Sequence, residues 1–335
     1  FFQAEDGIRA SVASRGLGDV YKRQVVVTGG AGFIGSHIVE YLVNRGDEVT
    51  VIDNLHTGKK ENLQAVIDKI NFIQTDIQDF DALKNVIKNT EGVFHEAALA
   101  SVQESFSKPE QYHNVNVKGT ENILKLAREF GFKVVYASSS SVYGNPSTIP
   151  IKEDAVKKAI NPYAQTKIDD EILAEKYSKY GVDVIGLRYF NVYGERQSKN
   201  YAGVIKLFLE LIQNHDPPMI NGDGSQTRDF VYVKDVVRAN IMAFESNVKS
   251  AFLNIGTGHT ISILELANEV IKSSGLALKP LYRSALKGDV HDSQADVLLA
   301  KQLIGWESTM KLENCLLYTS PSPRDATLSR KPSSA

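Results

Sequence analysis

The sequence predicts a doubly wound α/β fold, a parallel central sheet with helices on both faces, joined to a smaller α/β substrate-binding domain. Three observations predict it. Strand-like and helix-like stretches alternate from Val25 to Arg188. The β-branched run Val25-Val-Val-Thr28 passes straight into a glycine loop, Gly30-x-Gly32-x-x-Gly35. A second strand-like run, Glu48-Val-Thr-Val-Ile-Asp53, ends on a carboxylate about 20 residues beyond that loop.

In the loop, the first glycine permits a tight turn, the second lets the backbone approach a pyrophosphate at a helix N-terminus, and the third lets helix and strand pack closely. The helix-like stretch His37-Ile-Val-Glu-Tyr-Leu-Val-Asn-Arg45 follows. Asp53 is placed to accept hydrogen bonds from an adenosine ribose and to repel a 2′-phosphate, which favours NAD over NADP.

The alternation continues with a strand at 71–75, a helix at 81–88, a strand at 92–97, a helix at 115–130, a strand at 133–138, a helix at 163–180 and a strand at 183–188. Sheets of this kind bind ligands at the carboxyl ends of their strands, where Gly29, Asp53, Asp76, Ala97 and Ser139 all fall. Beyond Arg188 the pattern loosens into turns such as Asp216-Pro-Pro218 and Asn221-Gly-Asp-Gly224, followed by a strand at 230–233 and a helix at 235–245. Residues 25–188 and 229–254 read as the dinucleotide-binding domain, and 189–228 with 255–314 as the substrate-binding domain.

Tyr163 and Lys167, in Asn161-Pro-Tyr-Ala-Gln-Thr-Lys167, share one helix face, so the ammonium can lie beneath the phenol and favour its anion. Bringing a phenol from a pKa of about 10 to about 7 takes roughly 4 kcal/mol, which one cation about 4 Å away supplies at an effective dielectric near 20. With the serine run Ser138-Ser-Ser-Ser141, the pair can deprotonate a sugar hydroxyl.

The 335 residues are 42% hydrophobic and 23% charged, with a net charge of −2, so nothing points to a nucleic-acid or other polyanionic partner. No apolar run reaches the roughly 20 residues of a membrane span, and a cytoplasmic protein is expected. Cys315 is the only cysteine, which excludes an internal disulfide. The seven histidines are not at metal-ligand spacing, so no metal is expected, and His95 reads as a core residue. Residues 1–24 and 315–335 resemble translated sequencing-adapter sequence and are expected to be a non-native leader and tail, the latter interrupting a helix that begins near Lys311.

Between those ends the chain resembles the extended short-chain dehydrogenase/reductase family, with its Rossmann-like domain, and within it the nucleotide-sugar 4-epimerases. The markers are Thr28-Gly-Gly-Ala-Gly-Phe-Ile-Gly35, Asp53-Asn-Leu, Asp76-Ile, His95-Glu-Ala-Ala98, Asn116-Val-Lys-Gly-Thr120, Ser138-Ser-Ser-Ser-Val-Tyr-Gly144, Tyr163 with Lys167, Arg188-Tyr-Phe-Asn191, Arg228-Asp-Phe-Val-Tyr232 and Gly288-Asp289. The resemblance implies Ser139, Tyr163 and Lys167 as catalytic residues. It implies Gly29, Gly32, Phe33, Ile34, Gly35, Asp53, Asn54, Asp76, Ile77, Ala97, Ala98, Asn116, Tyr163, Lys167 and Tyr189 as contacts to NAD. Ser101, Ser139, Asn191, Val204, Asn221, Arg228, Asp289 and Ser293 would contact a UDP-sugar, Arg228 as a phosphate clamp.

By the same resemblance, Tyr163 removes the 4-hydroxyl proton of a UDP-hexose as the C4 hydride passes to NAD. The 4-keto sugar turns over in the pocket and is reduced on its other face. Ser140 and Ser141 stand where dehydratases and decarboxylases of the family carry acids, which leaves epimerisation as the outcome. Small Ser293 leaves room for an N-acetyl group and Ser101 matches a residue near the sugar in the N-acetylhexosamine epimerases, favouring UDP-GlcNAc and UDP-GalNAc, with UDP-glucose and UDP-galactose as further substrates. Leu286 stands where relatives place a second diphosphate-binding arginine, leaving Lys287 or Arg283 to compensate. The rival readings are a UDP-glucuronate 4-epimerase and a non-catalytic NAD-binding regulator. The helices at 115–130 and 163–180 correspond to those that pair across a homodimer, with Ile123, Leu126, Ile172 and Leu173 as their surplus apolar positions.

Overall fold

The computed structural model describes residues 22–197 and 203–312. Seven strands form one sheet: β1 (Gln24–Thr28), β2 (Glu48–Ile52), β3 (Ile70–Ile73), β4 (Gly92–His95), β5 (Lys133–Ser139), β6 (Val184–Tyr189) and β7 (Ser250–Ile255), in spatial order β7-β6-β5-β4-β1-β2-β3. Every pairing in it is parallel. The helices include α1 (Phe33–Arg45), α2 (Phe80–Ile87), α3 (Gly119–Phe130), α4 (Pro162–Ser178), α5 (Val204–Gln213), α6 (Val233–Glu245) and α7 (Ile263–Ser274).

Alternation along β1 explains why its run is continuously apolar. Val25 and Val27 pack with Ile38 and Leu42 of α1 on one face, while Val26 packs with Ile123 and Leu124 of α3 on the other. A parallel strand covered on both sides needs apolar residues at every position. Order reverses between β1 and β4, and the crevice of a doubly wound sheet opens at that switch point, beyond the carboxyl ends of the strands.

A third core, including Tyr193, Phe208, Ile220, Phe230, Leu266 and Val270, is built from the later part of the chain. The short strands Asn191–Tyr193 and Phe230–Tyr232 pair there in parallel. Helices α5 and α7, and the sheet's edge strand β7, were not anticipated from sequence. For α7 the signal was present, because Ser262 and Glu265 form a reciprocal capping box at its start.

Two boundaries differ from expectation. The first strand begins at Gln24, inside the segment assigned to a leader, because Gln24 pairs with Glu48. The last strand of the sheet runs to Ile255, one register pair past the expected limit of the dinucleotide domain. The rest of the leader and tail, the helix expected near Lys311 beyond residue 312, and Cys315 lie outside the described residues. No helix among the described residues is long and apolar enough to cross a membrane.

Candidate active site

One cavity of ≈ 1880 Å³ runs along the carboxyl edge of the sheet. Single small-molecule pockets reach about 1,000 Å³, so this space accommodates a dinucleotide together with a second nucleotide. Every predicted site residue except Asn116 lines it.

At its first end the chain leaves β1 through Gly29, whose φ of 67° is left-handed. The tight turn therefore sits one residue before the glycine triplet, where sequence reasoning had put it at Gly30. A Cβ on Gly29 would stand 2.6 Å from the Ala97 amide nitrogen, and one on Gly35 would stand 2.2 Å from the Gly29 carbonyl oxygen. Neither position admits a side chain. Helix α1 starts at Gly32 with no side-chain cap, so its first N–H groups and the positive end of its dipole face the cavity. This is a cradle for a pyrophosphate.

Asp53 closes β2. Its carboxylate accepts from the Ala31 amide at 2.9 Å and the Leu55 amide at 2.8 Å, one on each oxygen, which leaves lone pairs for ribose hydroxyls. Burial pushes its pKa up, and those two amide bonds oppose the shift. Asn54 donates to Asp76 at 2.7 Å. Partial burial pushes Asp76 up, but hydrogen bonds from Gln78 and Asn54 outweigh it and hold the carboxyl below its usual range.

The Tyr163 helix, α4, begins with Asn161 capping the Ala164 amide at 2.8 Å and Pro162 in the first turn. Lys167 is buried, and its ammonium donates to the Ala137 carbonyl at 2.8 Å and to Asp170 at 3.2 Å. Within the serine run the hydroxyls of Ser138, Ser139 and Ser141 take different partners. Ser138 is buried and donates to Glu171 at 2.7 Å, whereas Ser139 accepts from the Ser141 amide at 3.2 Å and the Ser141 hydroxyl at 2.9 Å. With its acceptor side occupied, the Ser139 O–H remains as a donor in the cavity that Tyr163 also lines.

At the far end, Ser101 caps the Glu104 amide at 3.2 Å, Asn191 donates to the Asp229 carbonyl at 3.2 Å, and Ser293 is buried in the wall. Arg228 pairs with Asp289 at 2.6 Å and donates to the carbonyls of Thr227 and His291. Two residues assigned separately to the ligand are thus each other's partners here. Arg283 lines the cavity and donates to Asn221, beside Leu286, while Lys287 lies 5.0 Å from the Phe106 ring centre.

Asn116 stands behind the wall. Its side chain bonds the Leu99 amide at 2.8 Å, the Leu99 carbonyl at 3.0 Å and Thr166 of α4 at 3.0 Å. It ties the loop after β4 to the Tyr163 helix from a single π-helical turn, His113–Lys118. Glu96 was missed as a site residue. It lines the cavity, accepts from the Tyr189 hydroxyl at 2.8 Å, and is pushed up to about 7 by burial. Its place at the end of β4, in the run His95-Glu-Ala-Ala98, was the available signal. His95 is a core residue between Thr28 at 2.7 Å and Thr120 at 3.0 Å, held neutral by burial with its pKa down at about 3. Among the described residues no cluster of three His, Cys, Asp or Glu could hold a metal ion.

A glycine-cradled helix terminus, a strand-end ribose acid and a Tyr/Lys pair on one helix define a dinucleotide-dependent enzyme of the doubly wound class, and the residues fit NAD. The chain belongs to the NAD dependent epimerase/dehydratase family, whose signature matches residues 25–256. It is 40% identical over 294 residues to a putative UDP-glucose 4-epimerase of Methanocaldococcus jannaschii, covering 86% of this chain and 94% of the relative. A UDP-glucuronate 4-epimerase of Thermodesulfobacterium geofontis is 35% identical over 307 residues, covering 88% and 94%. A solved UDP-N-acetylglucosamine 4-epimerase from Methanobrevibacter ruminantium M1 superposes with a TM-score of 0.85 at 37% identity, over 89% of this chain and 97% of that one.

Proposed function

We propose that the enzyme inverts C4 of UDP-hexoses, taking UDP-GlcNAc and UDP-GalNAc and also UDP-glucose and UDP-galactose. The observation that carries this reading is the meeting of Ser139, Tyr163 and Lys167 in the same cavity as the glycine cradle and Asp53, with serines rather than acids at 140 and 141. Bound NAD supplies the group that takes up and returns a hydride. Tyr163 takes the proton of the C4 hydroxyl, with the Lys167 charge beneath it. Ser139 donates to the same oxygen and holds it in place. No residue at 140 or 141 can drive loss of water or carbon dioxide, so the 4-keto sugar is reduced again, and Tyr163 returns the proton.

The end of the cavity remote from the cradle is the proposed nucleotide end, served by residues 189–228 and 255–314. Arg283 is the proposed second diphosphate cation, since it lines the cavity and Lys287 does not. Arg228 must exchange part of its pairing with Asp289 to act as a clamp. The loop after β4 favours a neutral sugar over UDP-glucuronate: Lys108, the cation that follows that loop in sequence, is paired with Glu104 at 2.7 Å.

Purified protein incubated separately with UDP-GlcNAc, UDP-glucose and UDP-glucuronate, without added NAD, tests the reading when C4 epimers are resolved by chromatography. UDP-GalNAc formation supports it, inversion of UDP-glucuronate alone rejects the substrate assignment, and no inversion even with NAD added rejects the reaction. Ser293→Tyr is expected to lower kcat/KM for UDP-GlcNAc by at least about tenfold while sparing UDP-glucose, because a filled wall excludes the acetamido group.

A cytoplasmic homodimer belongs to the same reading. Of the four surplus apolar positions, Ile123 and Leu126 are fully buried and Leu173 packs on the sheet, but Ile172 is 54% exposed on α4. Sedimentation is expected to give twice the 37.0 kDa chain mass.

A further inference from the structure

The Lys167 ammonium has three N–H donors. One is bonded to the Ala137 carbonyl at 2.8 Å and a second to Asp170 Oδ2 at 3.2 Å. The residue also lines the cavity, so its third donor is the one available there. Asp170 is fully buried one turn further along α4 and does not line the cavity. The Thr120 hydroxyl of α3 lies close enough to lower the pKa of this carboxyl, and Asp170 Oδ1 is buried with no hydrogen-bond partner among the described residues. A fully buried carboxylate is costly to keep, and it persists where it balances a charge.

We propose that Asp170 is a positioning residue of the site: its carboxylate, with the Ala137 carbonyl, orients the Lys167 ammonium and balances its charge, leaving one N–H for the cavity. The inference rests on the proposed use of Lys167 beside Tyr163. Nothing in the sequence pattern of the Tyr/Lys pair calls for an acid at this place.

The electrostatics agree with the geometry. Burial alone lowers Lys167, but the Asp170 charge and hydrogen bond, with Tyr163 and Glu96 adding, raise it above the ordinary lysine value. Burial in turn pushes Asp170 up to about 7 against the pull of Lys167 and the Thr120 hydroxyl. The charged and titratable groups facing the pair are Tyr163 and Asp169 on α4, His95 and Glu96 at the end of β4, and Tyr136 on β5. None of these is bonded to the ammonium in the described geometry, and Asp170 is the only carboxylate that is.

The test titrates lysines labelled with ¹³C at Cε in NAD-free protein, with the Lys167 signal identified by its absence in Lys167→Met. In wild type the Lys167 midpoint lies above those of the exposed lysines. In Asp170→Asn it moves down in pH, and Asp170→Glu restores it. Kinetics give a second readout: kcat of Asp170→Asn at pH 9.5 falls at least about tenfold relative to its own value at pH 7, a ratio wild type does not show. An unchanged Lys167 midpoint in folded Asp170→Asn overturns the proposal. If that variant does not fold, a wild-type midpoint below the exposed lysines overturns it equally. A shifted midpoint in protein that turns over no UDP-sugar keeps the Asp170 assignment and rejects the epimerase reading.

Discussion

Tyr163→Phe is expected to lower kcat by about 10²- to 10⁴-fold, the usual contribution of a positioned general acid or base. The change removes one oxygen and keeps the ring. The first turn of α4 stays fixed by the Asn161 cap on Ala164 and by Pro162, neither of which involves the phenol. Lys167 keeps its bonds to Ala137 and Asp170. The cofactor cradle lies on other elements, so NAD content after purification should match wild type. Steady-state kinetics with UDP-glucose, together with NAD released on acid denaturation, check this. A loss of less than about tenfold with NAD retained would mean that another group, with Ser139 the nearest alternative, takes the proton.

The second large effect is on stability. Glu171 is fully buried in α4 and accepts from Arg188 Nε at 2.8 Å and Nη2 at 2.8 Å, from Ser138 at 2.7 Å, and from Lys157 at 3.1 Å. Truncation in Glu171→Ala strands a buried guanidinium and should cost about 3–5 kcal/mol. The loss should reach the site too, since Ser138 adjoins Ser139 and Arg188 adjoins Tyr189.

The pH dependence of that difference has a definite sign. Burial pushes Glu171 up, but the Arg188 guanidinium and its hydrogen bonds override it, and the carboxyl ends below its usual range. A carboxyl depressed in the folded state contributes stability above its unfolded pKa and loses it as the pH falls through the folded value. The gap between wild type and variant is therefore full at neutral pH and narrows in acid. Urea denaturation at pH 7.5 and at pH 4 measures it. A gap below about 1 kcal/mol at pH 7.5 would remove the pair from the stabilising interactions.

The cofactor half of the site was the more legible. Its chemistry lies in short runs whose geometry is local: a glycine loop between a strand and a helix, an acid at a strand end, and two side chains one helical turn apart. The substrate half was less so. The strand at Phe230 was read, but helices α5 and α7 and the short strand at Asn191 form where segments far apart in the chain bury one another's apolar faces. Their local pattern was interrupted by turns, and only the capping box at Ser262 marked a boundary.

Sequence alone determined six of the sheet's seven strands, the dinucleotide chemistry and the spacing of Tyr163 and Lys167, because backbone conformation and helical spacing act over a few residues; the edge strand β7 was not anticipated. Tertiary structure decided which serine of the run is tied to Glu171 and which accepts from Ser141, that Arg228 holds Asp289, that Asn116 braces the wall from behind, and that Glu96 and Asp170 stand near the buried ammonium. Each of those outcomes depends on the burial of a polar group by the packing of whole elements. A buried charge or hydroxyl takes the partner that packing brings within reach, and spacing along the chain does not specify that partner.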